Sequence, residues 1–372
     1  MKVRNLNSVV LLESDPINAP YKFQQRSKKN TKELYSMFLP YRLFQDYKSV
    51  DLKKLRPKGS YDNLIASRLH SIEELIRNYG SIPAGLLKNR SCPNCSSNNS
   101  SKELAKDYLE LVRCNECDLV YVDPIFDEEQ YKKTYRSTEY QQIVKALGEE
   151  SHLYRVERFG VERIATINEY LLRKETHTTP RFLDIGCSTG FVVEAAKRLG
   201  WRAFGIDLNP SAISFGRERG LDLHNVALED FDAPLKSFDA IGLFDVLEHL
   251  VDPRGLMEQA ISLLKPQGII YFFVPNYDSA SRLLMGKDAH FIWPTHHLTY
   301  FTPNTMRTFT ESTGLKVEMM STEGLDIFDY IWNQEQTRKR DMQVLDEVAD
   351  KMQFFINSSL WGKNLRVLAR RI

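Results

Sequence analysis

Four cysteines, a short glycine loop flanked by acids and a pair of adjacent histidines are where this chain's residue types could do chemistry. Cys92, Cys95, Cys114 and Cys117 form two C-x-x-C pairs with 18 residues between them. Each x-x turn presents two sulfurs to one ion, so the two pairs offer four thiolates for a tetrahedral zinc site. Four cysteines leave no open coordination position, which makes the expected zinc structural and not catalytic. Disulfides are the alternative for the same spacing, and a cytoplasmic chain disfavours them.

The second constellation is Arg181–Gly190, RFLDIGCSTG, with Asp207 closing the next apolar run. A strand, a tight glycine turn and a helix N-terminus leave backbone N–H groups facing a ligand with nothing bulky in the way. Asp207 stands where α/β ligand folds set an acid against ribose hydroxyls. Only Gly186 and Gly190 of a G-x-G-x-x-G pattern are present, and Asp184 just ahead of them would repel a pyrophosphate. A cationic ligand carrying an amino acid suits that carboxylate better. With FDVLEHLVDP (Phe244–Pro253), the chain from about Leu153 onward resembles the class I S-adenosylmethionine (SAM) methyltransferases, in the branch holding ubiquinone-type and sugar-tailoring enzymes.

The resemblance implies that Asp184 and the backbone of Gly186 and Gly190 hold the methionine part of SAM, with Cys187 and Ser188 as small residues of the same loop. Ser188 replaces a glycine common in the family, and Cys187 is not expected to be a nucleophile. Asp207 is expected on the ribose and Leu208 against the adenine. Ala227, Leu228 and Glu229 are expected around the adenine, although relatives often carry an acid at Ala227. Phe244 and Asp245 end the fourth strand, at the carboxyl edge where ligands of open sheets lie. Glu248 and His249 follow, as catalytic groups, metal ligands or a hydrogen-bonded helix start. In FIWPTHHLTYF (Phe291–Phe301) the pair His296-His297 resembles a Glu-His pair followed by Leu-x-Tyr-Phe in sugar C-methyltransferases. The match makes His297 the first candidate for the base, with His296 in the glutamate's place and Trp293 and Tyr300 as pocket walls.

Elements must position these groups, and the pattern for them is α/β. Expected strands are Arg181–Ile185, Arg202–Ile206, Leu221–Val226, Phe238–Phe244 and Gly268–Val274. They alternate with helices Phe191–Leu199, Pro210–Arg219 and Pro253–Leu264, implying a doubly wound, Rossmann-like, mostly parallel sheet. Leu315–Met320 and Asn364–Ala369 are expected as an antiparallel edge hairpin, with a helical insertion over about 327–360 between them. The expected domains are 1–90, basic and partly helical; 91–124, a zinc ribbon with strands at Leu109–Val112 and Asp118–Val122; 125–152, a helical cap with Tyr131, Tyr135 and Tyr140; and 153–372, the methyltransferase domain. Helices are read at Tyr61–Tyr79 and Tyr154–Leu172 from their apolar periodicity.

The totals fit a globular protein: 372 residues, 42% apolar, 27% charged and a net charge of +1. No apolar run reaches the ~20 residues of a membrane span, and Val9–Leu12 is too short for a signal core, so a cytoplasmic protein is expected. The first 60 residues hold 13 Lys or Arg against 5 acids. A basic arm of this kind suits an anionic acceptor, RNA, or simply a solvated surface. The expected activity is SAM-dependent methylation of a small molecule, first a sugar or nucleotide-linked sugar, at O, N or C. The alternative is an RNA methyltransferase that uses the ribbon and the basic arm, with Tyr21, Phe23, Tyr35, Phe38, Tyr41 and Tyr47 interleaved for stacking. A third reading is a scaffold that binds SAM weakly.

Overall fold

A strand covered on both faces reads as an unbroken apolar run, and FDAIGLF is such a run. In a computed structural model, which describes residues 12–15, 19–23, 50–55, 70–127, 130–131, 138–172 and 179–372, this stretch is buried along its whole length. Its one acid, Asp239, accepts hydrogen bonds from the Arg181 amide and the Lys265 ammonium, each at 2.8 Å.

In chain order the strands are β1 Leu12–Asp15, β2 Ala19–Phe23, β3 Leu87–Lys88, β4 Ser100–Lys106, β5 Leu109–Cys114, β6 Val120–Val122, β7 Ile125–Phe126, β8 Arg181–Ile185, β9 Arg202–Ile206, β10 Asp222–His224, β11 Phe238–Phe244, β12 Leu264–Pro275, β13 Thr299–Tyr300, β14 Leu315–Glu323 and β15 Asn364–Arg371. The main sheet has seven strands in the order β10-β9-β8-β11-β12-β15-β14. Its first five strands are parallel, and β15 and β14 are antiparallel. The fold is thus the doubly wound, Rossmann-like α/β sheet with a terminal hairpin. The insertion between β14 and β15 comprises helices Asp326–Arg338, Gln343–Asp346 and Ala349–Ser358.

Local chemistry explains where the core helices begin. Asn209 accepts from the Ser211 and Ala212 amides ahead of helix Pro210–Glu218. Asp252 accepts from the Gly255 amide at the start of helix Pro253–Leu263, and Thr302 and Thr305 cap helix Pro303–Ser312 reciprocally. Each of these helices has proline at its first position, where no N–H is needed.

The structure changes some boundaries. The third parallel strand is Asp222–His224, shorter than Leu221–Val226, because the Leu221 amide instead closes the preceding helix on the Gly216 carbonyl. The strand expected at Gly268 begins at Leu264, and β14 runs on to Glu323, paired with β15 to its end. Of the helix expected over Tyr61–Tyr79, His70–Tyr79 is present, and Tyr61–Leu69 lies outside the described residues. So do Tyr35, Phe38, Tyr41, Tyr47 and Tyr135.

Two domain boundaries do not follow the sequence reading. Helix Thr138–Arg155 passes through the 152/153 division and continues, by a π turn at Val156–Gly160, into helix Val161–Leu172. The ribbon is not a self-contained module either. Its sheet has the order β13-β6-β5-β4, and the outermost strand, β13, comes from the methyltransferase portion. One apolar cluster joins Leu109, Leu111, Val120 and Val122 of the ribbon to Tyr277, Phe291, Leu298 and Tyr300.

Candidate active site

At the carboxyl edge of the parallel strands lies a cavity of about 930 Å³. Its donor side is the loop after β8. Gly186 has φ +77°, and a Cβ there would come within 2.5 Å of the Val246 side chain. Gly190 has φ +78° and is packed under Leu221 and Leu223, so its part is to let the chain turn and not to line the cavity. The Gly186 and Cys187 amides donate to the Ile206 carbonyl, stitching the loop to β9. Cys187 is 1% exposed, and burial pushes its thiol well above the usual range, so it is no nucleophile.

Asp207 accepts from the Ser188 and Asn209 amides at 2.8 Å, which aims its carboxylate. A carboxylate has about four acceptor positions, so lone pairs remain for hydroxyls in the cavity. Asp184 is 2% exposed, and its Oδ1 has no hydrogen-bond partner among the described residues. Burial pushes its pKa up to about 8, against the pull of Arg163. A cation placed beside it would favour its ionised form. Ser188, Leu208, Ala227, Leu228, Glu229, Phe244 and Asp245 also line the cavity, so the expected donor residues are brought together.

Sequence reasoning missed Arg163. It is 7% exposed, its guanidinium lies 4.3 Å from the Phe244 ring centre and 4.6 Å from that of Phe273, and Nη1 is buried without a hydrogen-bond partner among the described residues. An unpaired guanidinium N–H and an unpaired carboxylate oxygen lining one cavity match the two ends of a free amino acid. A signal was present: Arg155, Phe159 and Arg163 recur every fourth residue, and all three face the cavity. The same helical segment clamps the donor loop. The buried His152 ring meets Thr189 Oγ1 and Glu194 Oε2, both at 2.9 Å, and a Cβ on Gly148 would sit 2.9 Å from the Thr189 methyl. Val50 and Leu55 complete the wall, with the Asp51 amide held by the Tyr154 hydroxyl at 2.7 Å. This gives part of residues 1–90 a place at the site.

On the acceptor side, Asp245 takes a φ of +59°, which Asp tolerates better than most residues, and turns into the cavity. The surrounding protein raises its carboxyl pKa, although Arg163, Arg155 and Lys363 oppose the shift. Glu248 is 1% exposed with neither oxygen hydrogen-bonded, and burial, reinforced by Asp245, holds its carboxyl well above the usual range. His249 and His297 face each other with ring centres 4.7 Å apart. His249 Nδ1 donates to the His296 carbonyl at 3.0 Å, and burial lowers its pKa to about 4. His297 Nδ1 donates to the Phe291 carbonyl at 2.8 Å. That bond puts the proton on Nδ1 and leaves Nε2 as the basic nitrogen.

Two assignments need correction. His296 is 4% exposed, stacked on Trp293 at 4.0 Å and bonded to Thr295 Oγ1, and it does not line the cavity. Consecutive residues of this turn point opposite ways, and only His297 points in. Tyr300 is likewise buried behind the wall, where its hydroxyl accepts from the Trp293 amide at 3.1 Å. Trp293 is the wall and Tyr300 its brace.

Glu248, His249 and His297 offer ligand atoms that all lie within 4.8 Å of one another, a set that fits a divalent cation. The four cysteines form the other such set. Cys92 and Cys117 sulfurs are 3.5 Å apart, and those of Cys95 and Cys114 are 3.4 Å apart. Both distances are far beyond a disulfide bond, and all four thiols are free. The turns after each pair close through the Ser96 amide on the Cys92 carbonyl and the Asp118 amide on the Cys114 carbonyl, with φ of +60° at Ser96 and Asp118.

Residues 154–319 match the family model described as a methyltransferase domain. Over 166 residues the chain is 31% identical to the ubiquinone biosynthesis O-methyltransferase of Xanthomonas axonopodis pv. citri, covering 41% of this chain and 70% of that one. The chain belongs to the SAM-dependent methyltransferases. It is also 32% identical to the enzyme of the same name from Xylella fastidiosa strain M23, over 33% of this chain and 53% of that one. It thus spans only about half of the latter's length. Among solved structures it resembles a SAM-dependent methyltransferase from Archaeoglobus fulgidus, at 19% identity and a TM-score of 0.39, over 66% of this chain and all of that one. The family match begins after the ribbon, so the cysteine cluster lies outside it. No helix among the described residues is long and apolar enough to cross a membrane.

Proposed function

We propose that the protein methylates a hydroxyl group on a small ring-shaped acceptor, with His297 as the base. The observation that carries this reading is the cavity in which Asp184, Arg163 and Asp207 face His297, His249 and Trp293. SAM, when bound, supplies an electrophilic methyl group on a sulfonium. Asp184 and Arg163 would take its ammonium and carboxylate, and Asp207 its ribose hydroxyls. Nε2 of His297 would take the proton of the acceptor hydroxyl as the oxygen bonds to the methyl carbon, and the electrons of the broken C–S bond stay on sulfur. Trp293 and Phe291 offer flat apolar faces against which a ring can be oriented for in-line transfer.

Within this class a sugar or nucleotide-linked sugar is the first candidate, and the name carried by the Xanthomonas and Xylella relatives makes a phenolic acceptor the second. The four cysteines are proposed to hold a structural zinc, since they are reduced and close enough to share one ion. Incubation with methyl-labelled SAM and a panel of nucleotide sugars, catechols and total RNA tests the reading. Label in a small acceptor, abolished by His297→Ala while SAM still binds, is the expected result. Label in RNA overturns it, and full transfer by His297→Ala removes His297 as the base.

A further inference from the structure

We propose that the four-cysteine centre positions the acceptor half of the active site. The inference rests on that centre holding a metal. The second knuckle ends at Cys117, and β6 begins at Val120. Strand β6 pairs with β13 through Tyr121 opposite Thr299 and Val120 opposite Tyr300, and the Val122 amide donates to the Leu298 carbonyl at 3.0 Å. The Leu298 amide in turn donates to the Glu248 carbonyl at 2.6 Å. His297 precedes Leu298, and the carbonyl of His296 receives the His249 ring. A run of backbone hydrogen bonds therefore leads from the cysteine knuckle to both cavity histidines and to Glu248.

A second link leaves the first knuckle. The Asn94 carbonyl, inside Cys92-Pro-Asn-Cys95, accepts from Arg254 Nη2 at 2.9 Å, and the same nitrogen meets Ser312 Oγ at 2.9 Å. Arg254 sits in the first turn of the helix that follows Glu248 and His249. A third link is the Tyr277 hydroxyl, which donates to Glu103 of β4 at 3.0 Å, while the Tyr277 ring packs against that of Tyr300. Among the described residues the donor loop has no such hydrogen bond: Gly186 and Cys187 bond to β9, and Ser188 to Asp207. Strands taken from distant parts of a chain stay paired only while both are held in place. Four thiolates drawn to one ion hold β6 at the end nearest β13.

The test compares the full-length metal-loaded protein with the same protein after chelation, by metal analysis, amide hydrogen exchange, SAM titration and nitrogen-15 spectra of labelled histidine rings. The expected result is one metal per chain, and on its removal exchange about tenfold or more faster at Val122 and Leu298. Gly186 and Cys187 should keep their protection, SAM affinity should change by less than about threefold, and the ring signals of His249 and His297 should move. Cys95→His, which preserves four ligands, should restore the loaded pattern, whereas Cys95→Ala should not. Absence of bound metal overturns the zinc reading and this inference together. Bound metal with unchanged exchange at Val122 and Leu298 on its removal overturns this inference alone.

Discussion

The two halves of the cavity are built differently. The core of the donor half comes from consecutive pieces of one sheet edge, a strand, its loop, the next strand and its closing acid, with Arg163 added from the preceding helix. The acceptor half is assembled from β11's end, the 290–300 loop, which β6 of the ribbon braces from behind through β13, and the stretch at the end of β14. A site made of neighbours can be recognised from spacing alone, whereas a site made of distant segments shows itself only in three dimensions. The donor half should also yield to single substitutions independently of the acceptor half.

Substitutions can break or sharpen that division. The largest effect is expected for His297→Ala, which should lower transfer by about 10²–10⁴-fold, the usual worth of a general base, with SAM affinity unchanged. Isothermal titration beside a turnover assay checks it, and parallel losses of binding and turnover would merge the two halves. Asp184→Asn should weaken SAM binding by about tenfold to a hundredfold, as expected for a lost charge-assisted bond of about 1.5–3 kcal/mol. Arg163→Met should do the same to a smaller degree while keeping the packing between Phe244 and Phe273. Titrations across pH should give a further signature. Asp184 is raised to about 8 in the empty cavity, and a cation binds its ionised form, so a proton must leave on binding as pH falls below 8. SAM affinity should therefore fall with decreasing pH, by up to about tenfold per unit, and Asp184→Asn should flatten the slope. The smallest effect is expected for Tyr300→Phe. Losing the bond that braces Trp293 should cost transfer about fivefold or less, at roughly 1 kcal/mol, without touching SAM binding.

Legibility in the sequence follows the same division. Asp184, Gly186 and Asp207 stand at fixed distances set by one strand, one turn and one helix, and all three line the cavity. The alternation of strands and helices was readable for the same reason, helped by the caps and prolines that open helices Pro210–Glu218, Pro253–Leu263 and Pro303–Ser312. Arg163 carried only the weak signal of its every-fourth-residue spacing with Arg155 and Phe159, since a helical arginine is normally a solvated residue and only the closing of Phe244 and Phe273 around it shows otherwise. The family resemblance favoured His297 over His296 as the base, while the spacing of two adjacent residues did not separate them. The hydrogen bond from His297 to Phe291 and the stacking of His296 on Trp293 separate them. The join between β6 and β13 had no local signal at all, because the paired residues lie far apart along the chain.

That join also bears on how the molecule is made. A ribbon completed by Thr299–Tyr300 cannot finish its sheet until most of the chain has been synthesised, so β6 waits with its outer hydrogen-bonding edge open. Contacts spanning so long a stretch close slowly, and open apolar edges invite pairing with other chains. The cysteine region is therefore poorly suited to life as a detached fragment: excised near residue 125, it would expose Val120 and Val122 along an unpaired edge. Nor would it transfer readily to another protein, because the recipient would have to supply β13 as well.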